Sequence, residues 1–296
     1  MATDIQKRRL PVWRIFKASY LALFRNLGLA FRLAIVPYIL GFLPIVVLAI
    51  FTGGMMLDDP AILDSAGVGG IALFYAATLV SSVAIIPMIT AWHRLVILGH
   101  DHSNARLRYS IARSEWRYLL KLVMYFTIVL LLSIALIFGV FAAGAALSVL
   151  LATNSFGSTI ASTGLIVGSV LLYGYYIGLI LRLCMVFPAA AVGTKLSFRD
   201  SWRLSKGNTW RLFFTFMIVL LPTAVISILI SLVVLGVVYF DPMASVMPGV
   251  GTQLVHLVVN MPIWITTLCT STSLWSWSYR YLVEGEEITL PGERST

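Results

Sequence analysis

The sequence predicts an all-α, polytopic membrane helix bundle, in which six transmembrane helices form three hairpins joined by cytoplasmic amphipathic helices. Two observations lead to this class. Hydrophobic residues make up 59% of the chain and charged residues only 11%, whereas charged residues are about 25% of a soluble domain. The apolar residues also gather in uncharged runs that reach the roughly 20 residues needed to cross a bilayer.

The uncharged runs can be divided into six spans. Residues 122–181 contain no charged residue, and this stretch is too long for one helix. The polar turn signal at 153–158 divides it into two spans. The first span follows a basic segment that is too long for the start of a signal peptide, so we expect a retained helix. The predicted spans are 33–52, 65–92, 122–151, 160–187, 212–240 and 242–279.

The distribution of positive charge predicts the orientation. The 21 lysines and arginines fall in the N-terminal segment, 93–121, 182–211 and the C-terminal end. The loops 53–67, 152–160 and 240–250 contain none of them. Because lysine and arginine concentrate on the cytoplasmic side, both termini are predicted to be cytoplasmic. This asymmetry accounts for the net charge of +9 without a nucleic-acid partner.

The basic segments have helical periodicity. Residues 12–32 place arginines and lysines on one face and apolar residues on the other, which predicts an interfacial helix with its apolar face among the acyl chains. Residues 105–121 and 197–206 have similar basic faces, and Ser197 with Asp200 indicates a capping box. Either positive-inside topology alone or lipid recognition explains these faces. The residues predicted to contact lipid headgroups or a partner are Arg25, Arg94, Arg117, Arg182, Arg203 and Arg211.

The chain is also predicted to contain a threefold internal repeat, with units near 11–102, 103–193 and 194–287 within one membrane domain. The segment from Ser19 to Asn26 can be aligned with the segment from Ser201 to Asn208. Each returning span ends near one arginine, and these are Arg94, Arg182 and Arg280. The repeat predicts a pseudo-threefold bundle. The alternative is a coincidence of topology, since every cytoplasmic loop must be basic.

A family resemblance is found in the third basic segment. The motif comprises Arg182-Leu183, Phe187 to Gly193 and Ser197 to Asn208. It resembles the membrane-domain family fused to some glycerophosphoryl diester phosphodiesterases, and the related YciC-like bacterial inner-membrane proteins. The resemblance implies a bacterial inner-membrane protein whose biochemical role is poorly defined. The sequence ends shortly after Glu287 without a phosphodiesterase domain, so no catalytic function is expected from it.

Two functions follow from these observations. The first is a non-enzymatic accessory or scaffold protein that engages anionic phospholipid, a membrane-protein partner or a second copy through its basic face. The alternative is a transporter or channel for a small solute or lipid. A possible intramembrane polar site on the sixth span motivates the alternative, because intramembrane polar groups often mark a pathway. Its residues are His256, Asn260, Thr267 and Ser271.

The sequence contains no motif of an enzyme or a cofactor site. Neither a nucleophile motif nor a phosphate-binding glycine loop is present, so no catalytic residue and no cofactor are predicted. His100, Asp101 and His102 lie close together, but their spacing is not distinctive, and we expect a solvated loop without a metal. The function is therefore predicted from topology and charge alone.

Overall fold

A computed structural model describes residues 8–44, 47, 62–99, 113–151, 155–240 and 250–288. Within these ranges every regular element is helical, which confirms the all-α class. The helices are α1 (Val12–Arg25), α2 (Leu27–Gly41), α3 (Ile62–Ala84), α4 (Ile86–Leu98), α5 (Arg113–Leu151), α6 (Ser155–Leu183), α7 (Val186–Val192), α8 (Phe198–Leu204), α9 (Thr209–Phe240) and α10 (Val250–Tyr279), followed by a π-helical segment (Arg280–Glu284).

Four stretches of the described chain are long and apolar enough to cross a membrane. The number rises to five if α1 and α2, which meet at a bend of 81°, form one broken span. These helices fit a multi-pass membrane protein. The six-span count and the three hairpins stay predictions. The four stretches are Gly67–Leu98, Glu115–Ala146, Ile166–Val192 and Thr209–Val233.

The helix is interrupted at Asn26, so the prediction of one amphipathic helix over 12–32 is wrong. The Asn26 side-chain amide donates to the Ala22 carbonyl at 2.8 Å, and its backbone N–H donates to the Leu23 carbonyl at 2.9 Å. The Asn26 carbonyl accepts from the Ala30 N–H at 2.8 Å as α2 begins. Asparagine side chains compete with the helical ladder in this way, and the result is the bend between α1 and α2.

The apolar face of α1 is covered by protein. The Leu10 N–H donates to Asn208 Oδ1 at 2.8 Å just before α9, and the Tyr20 hydroxyl donates to the Val219 carbonyl at 2.8 Å within α9. These two contacts align α1 with the first part of α9, and α1 also packs against α10. This arrangement corrects the expectation that the apolar face of α1 lies among acyl chains. The buried residues of α1 are Ile15, Ala18, Ser19 and Leu23.

The basic segments before the third and fifth predicted spans differ from each other. The first of them is continuous with its span in α5, and residues 105–112 lie outside the described chain. The second contains the separate short helix α8. The Asp200 N–H donates to Ser197 Oγ at 3.1 Å, and the Ser197 hydroxyl donates to the Asp200 carboxylate at 2.5 Å. The predicted capping box is therefore confirmed.

Helices α6 and α9 pack closely at Gly178. A Cβ added at Gly178 would lie 2.7 Å from Cγ2 of Thr209, which is too short for ordinary packing. No described atom lies within 4 Å of a Cβ added at Gly174. The same is true of Gly164 and Gly168. Of these four glycines of α6, only Gly178 marks a close helix approach.

Candidate functional site at the arginine-rich end

Three arginines that occupy similar places in the predicted repeat bind the ends of other helices. Arg94, Arg182 and Arg280 each donate to a backbone carbonyl in the last turn of a helix, and we call them the arginine clamps. The distance is 2.8 Å for Arg94 and 3.3 Å for Arg280. The acceptors are, in the same order, Ala191 of α7, Trp202 of α8 and Val96 of α4.

The arginine clamps follow the order of the three predicted units. Arg94 joins the first unit to the second, Arg182 joins the second to the third, and Arg280 joins the third to the first. Carbonyls in the last turn of a helix have no partner within that helix and lie at the negative end of its dipole. Each arginine therefore supplies a charged donor where one is most favourable. The division into units itself stays a prediction.

Arg182 makes the most extensive of these contacts. Only 7% of the residue is exposed, and its guanidinium lies over the ring of Trp202 at 4.0 Å. Its Nε donates to Ser205 Oγ at 3.2 Å, and the Ser201 hydroxyl donates to the Arg182 carbonyl at 2.5 Å. Arg182 thus holds α8 against the end of α6.

Arg94 has a second protein contact, and Arg211 of the predicted set also contacts protein groups. Arg94 also forms an ion pair with Glu115 at 2.9 Å, and the Glu115 side chain is only 9% exposed. Arg211 donates to the Leu10 carbonyl at 2.9 Å, and Asn208 holds the same N-terminal segment through its side chain. These contacts attach residues 8–11 to the start of α9. The prediction that Arg94, Arg182 and Arg211 contact headgroups stays untested.

The other three arginines of the set are exposed. They are Arg25 at the end of α1, Arg117 in the first turns of α5 and Arg203 on α8. Arg117 also lines a cavity of about 670 Å³ between α5, α7 and α8, which we call the basic cavity. Two more cations, Lys121 and Lys195, line it.

Lys195 is a site residue that sequence reasoning missed. The left-handed backbone of Gly193, with φ of 83°, ends α7. The Thr194 N–H then bonds back to the Ala189 carbonyl at 2.9 Å, so the chain reverses. This reversal places Lys195 in the wall of the basic cavity. A glycine directly after a short apolar helix is the sequence signal that indicates such a turn.

The basic cavity combines charge with an apolar lining. Among the described residues that line it, four are ionisable, three cations and Asp200, which gives them a net formal charge of +2. The hydrogen bond from Ser197 lowers the pKa of Asp200, so this carboxylate stays ionised at neutral pH. The apolar part of the lining consists of Leu120, Val186, Ala190 and Leu196. Lys121 is placed by a contact of its ammonium group with the Phe198 ring at 5.1 Å.

The predicted intramembrane polar residues all belong to α10, and their grouping into one site stays a prediction. The His256 side chain lies outside the described residues. Asn260 and Thr267 are half-buried, and Asn260 has an interaction partner. The Ser271 hydroxyl donates to the Leu268 carbonyl of its own helix at 3.0 Å.

Neighbouring hydroxyls of α10 join it to α4. The Trp92 indole N–H donates to Ser273 Oγ at 2.8 Å, and His93 Nδ1 pairs with Ser276 Oγ at 2.8 Å. All four residues are buried. A second cavity of about 780 Å³ lies between α5 and α6, and, like the basic cavity, it is lined by no α10 side chain that the structure describes. The hydroxyls in this part of α10 therefore act as interhelical contacts.

The described residues contain no group of three or more His, Cys, Asp or Glu side chains placed to hold a metal ion. His100, Asp101 and His102 lie outside these residues. The helix ends that contain Arg94, Arg117, Arg182, Arg211 and Arg280 form what we call the arginine-rich end. The fold and the site together define the class: a helical, membrane-compatible protein with a cation-lined cavity at this end. Comparisons with protein-family models, with curated proteins and with solved structures found no match for the chain.

Proposed function

We propose that this chain is a six-spanning protein of the bacterial inner membrane that acts as a non-enzymatic accessory or scaffold. It engages anionic phospholipid through its arginine-rich end, which faces the cytoplasm. Membership in the family that residues 182–208 resemble is part of the proposal. The observation that carries it is the basic cavity, because three cations converge there beside the ends of membrane-compatible helices.

Helix contacts and charge support the topology in this proposal. The pairs α2 and α3, α5 and α6, and α9 and α10 are each consecutive predicted spans and are in contact, as three hairpins require. Helix α10 serves as the sixth span, and it is surrounded by α1, α2, α4, α7 and α9. The positive-inside rule then places the arginine-rich end in the cytoplasm.

The different surroundings of the six arginines support lipid engagement by a subset of them. Arg94, Arg182 and Arg211 donate to protein carbonyls, so their guanidinium groups serve the fold. Arg25, Arg117 and Arg203 are exposed and are the three that contact headgroups. A cation near an anionic membrane surface contributes about 1 kcal/mol of binding free energy. Ser273 and Ser276, which lie close in sequence to the hydroxyls that suggested a transport pathway, bond to Trp92 and His93 between α10 and α4, and this favours a packed bundle.

Mixed-lipid nanodiscs test this function. Intact protein would be placed in nanodiscs of phosphatidylcholine and phosphatidylglycerol, and the lipids that stay bound on ejection would be counted by native mass spectrometry. We expect the wild type to retain mainly phosphatidylglycerol. The triple variant Arg25→Gln, Arg117→Gln, Arg203→Gln should lose most of this preference, because it removes three exposed cations.

A matched control distinguishes specific contacts from net charge. Arg14→Gln, Lys17→Gln and Lys206→Gln together neutralise three exposed cations that are not in the predicted set. This triple control should keep most of the preference for phosphatidylglycerol. Equal retention of both lipids by the wild type would contradict the proposed function.

A further inference from the structure

We propose that the basic cavity is a specific site for the phosphodiester headgroup of one anionic glycerophospholipid. This inference rests on the proposed function and locates the binding of anionic lipid in the basic cavity. The cavity's volume of about 670 Å³ lies within the range of about 300–1,000 Å³ that is usual for small-molecule sites.

The cations reach the cavity from different elements. Arg117 and Lys121 are one helical turn apart on α5, so they share a face, and Lys195 comes from the turn between α7 and α8. Arginine binds phosphate oxygens with a planar fork of donors, while lysine acts as a point charge. A phosphate placed among the three can therefore receive charged donors from more than one direction.

The apolar lining favours a lipid over a free phosphate ion. Leu120, which is exposed, and Leu196, which is half-buried, contribute the open hydrocarbon part of the wall beside the buried Val186 and Ala190 of α7. An inorganic phosphate would leave this surface uncovered. The glycerol and the first acyl carbons of a lipid would cover it and gain the free energy of removing apolar area from water.

Asp200 limits how much negative charge the cavity accepts. Its carboxylate accepts a hydrogen bond from Ser197 at 2.5 Å as part of the cap of α8 and also lines the cavity. Asp200→Asn keeps an oxygen for the Ser197 hydroxyl and removes one negative charge. We expect this variant to bind an anionic lipid more tightly than the wild type, by about twofold.

The test is a titration of the intact, detergent-solubilised protein with dioctanoyl phosphatidylglycerol, in which microscale thermophoresis measures binding. The double variant Arg117→Gln, Lys195→Gln should bind about tenfold more weakly than the wild type. The matched control Arg199→Gln, Lys206→Gln removes the same charge from exposed residues that do not line the cavity. It should stay within about twofold of the wild type, because screened surface charges contribute little.

Two further probes separate the outcomes. If the wild type binds dioctanoyl phosphatidylcholine as tightly as the phosphatidylglycerol analogue, the proposed function is wrong. If the wild type prefers the anionic lipid and the Arg117, Lys195 double variant keeps that preference, the cavity assignment is overturned while the proposed function stands. If inorganic phosphate binds as tightly as the anionic lipid, the site is one for free phosphate, and the lipid assignment is overturned.

Discussion

Replacing Arg182 with alanine is expected to lower the free energy of unfolding by about 3 kcal/mol, because it removes the charged hydrogen-bond donor that joins α6 to α8. The Trp202 carbonyl and the Ser205 hydroxyl would each lose a charged donor. The contact of the guanidinium with the Trp202 ring at 4.0 Å would also be lost. The measurement is the thermal unfolding midpoint of the detergent-solubilised protein.

Two variants make this prediction specific to the clamp. Arg182→Lys keeps the charge but loses the planar fork, so we expect a smaller loss of stability than with alanine. Arg203→Gln removes an exposed arginine from the adjacent helix and should leave the unfolding midpoint nearly unchanged. An Arg182→Ala protein as stable as the Arg203→Gln protein would show that the contact does not hold α8 in place.

Replacing Gly178 with leucine is expected to destabilise the bundle by about 3 kcal/mol or to prevent folding, because α6 and α9 would be forced apart. The position has no room even for a Cβ, which would lie 2.7 Å from Thr209 Cγ2. Gly174→Leu is the matched control one turn earlier, where no described atom lies within 4 Å of an added Cβ. Thermal unfolding in detergent would compare the two variants.

A second-site substitution makes the cause explicit. Thr209→Ser removes the methyl group that an added Cβ would meet, so it should restore part of the stability lost in Gly178→Ala. A deficit in Gly178→Ala that Thr209→Ser leaves unchanged would place the conflict elsewhere in the interface. The pair therefore forms a double-mutant cycle for one interhelical contact.

Local sequence signals predicted the local features of this fold. Ser197 and Asp200 are only three residues apart, and the structure contains the capping contacts that this spacing predicts. The sequence pattern also indicates an apolar face over residues 12–32, but it does not indicate that the face of α1 packs against α9 and α10. Periodicity shows that a face avoids water, and it does not distinguish lipid from the side chains of α9 and α10. The amphipathic pattern also continues through Asn26, so it does not indicate the bend between α1 and α2 at that residue.

The roles of the arginines depended on contacts that are remote in sequence. The alignment of Arg94, Arg182 and Arg280 came from the predicted repeat, but the acceptor of each lies in a different unit. Positive-inside topology predicts on which side of the membrane such cations lie. It does not predict whether a cation donates its hydrogen bonds to a protein carbonyl or to a lipid headgroup. For the same reason the partners of Ser273 and Ser276, which are Trp92 and His93 of α4, could not be predicted from the sequence.

The most direct test of the account is native mass spectrometry of the wild-type protein released gently from its own membranes. We predict the intact chain with anionic glycerophospholipid still bound, because the basic cavity carries a net charge of +2 beside an apolar lining. A chain that carries only neutral lipid, or no lipid at all, would contradict the account.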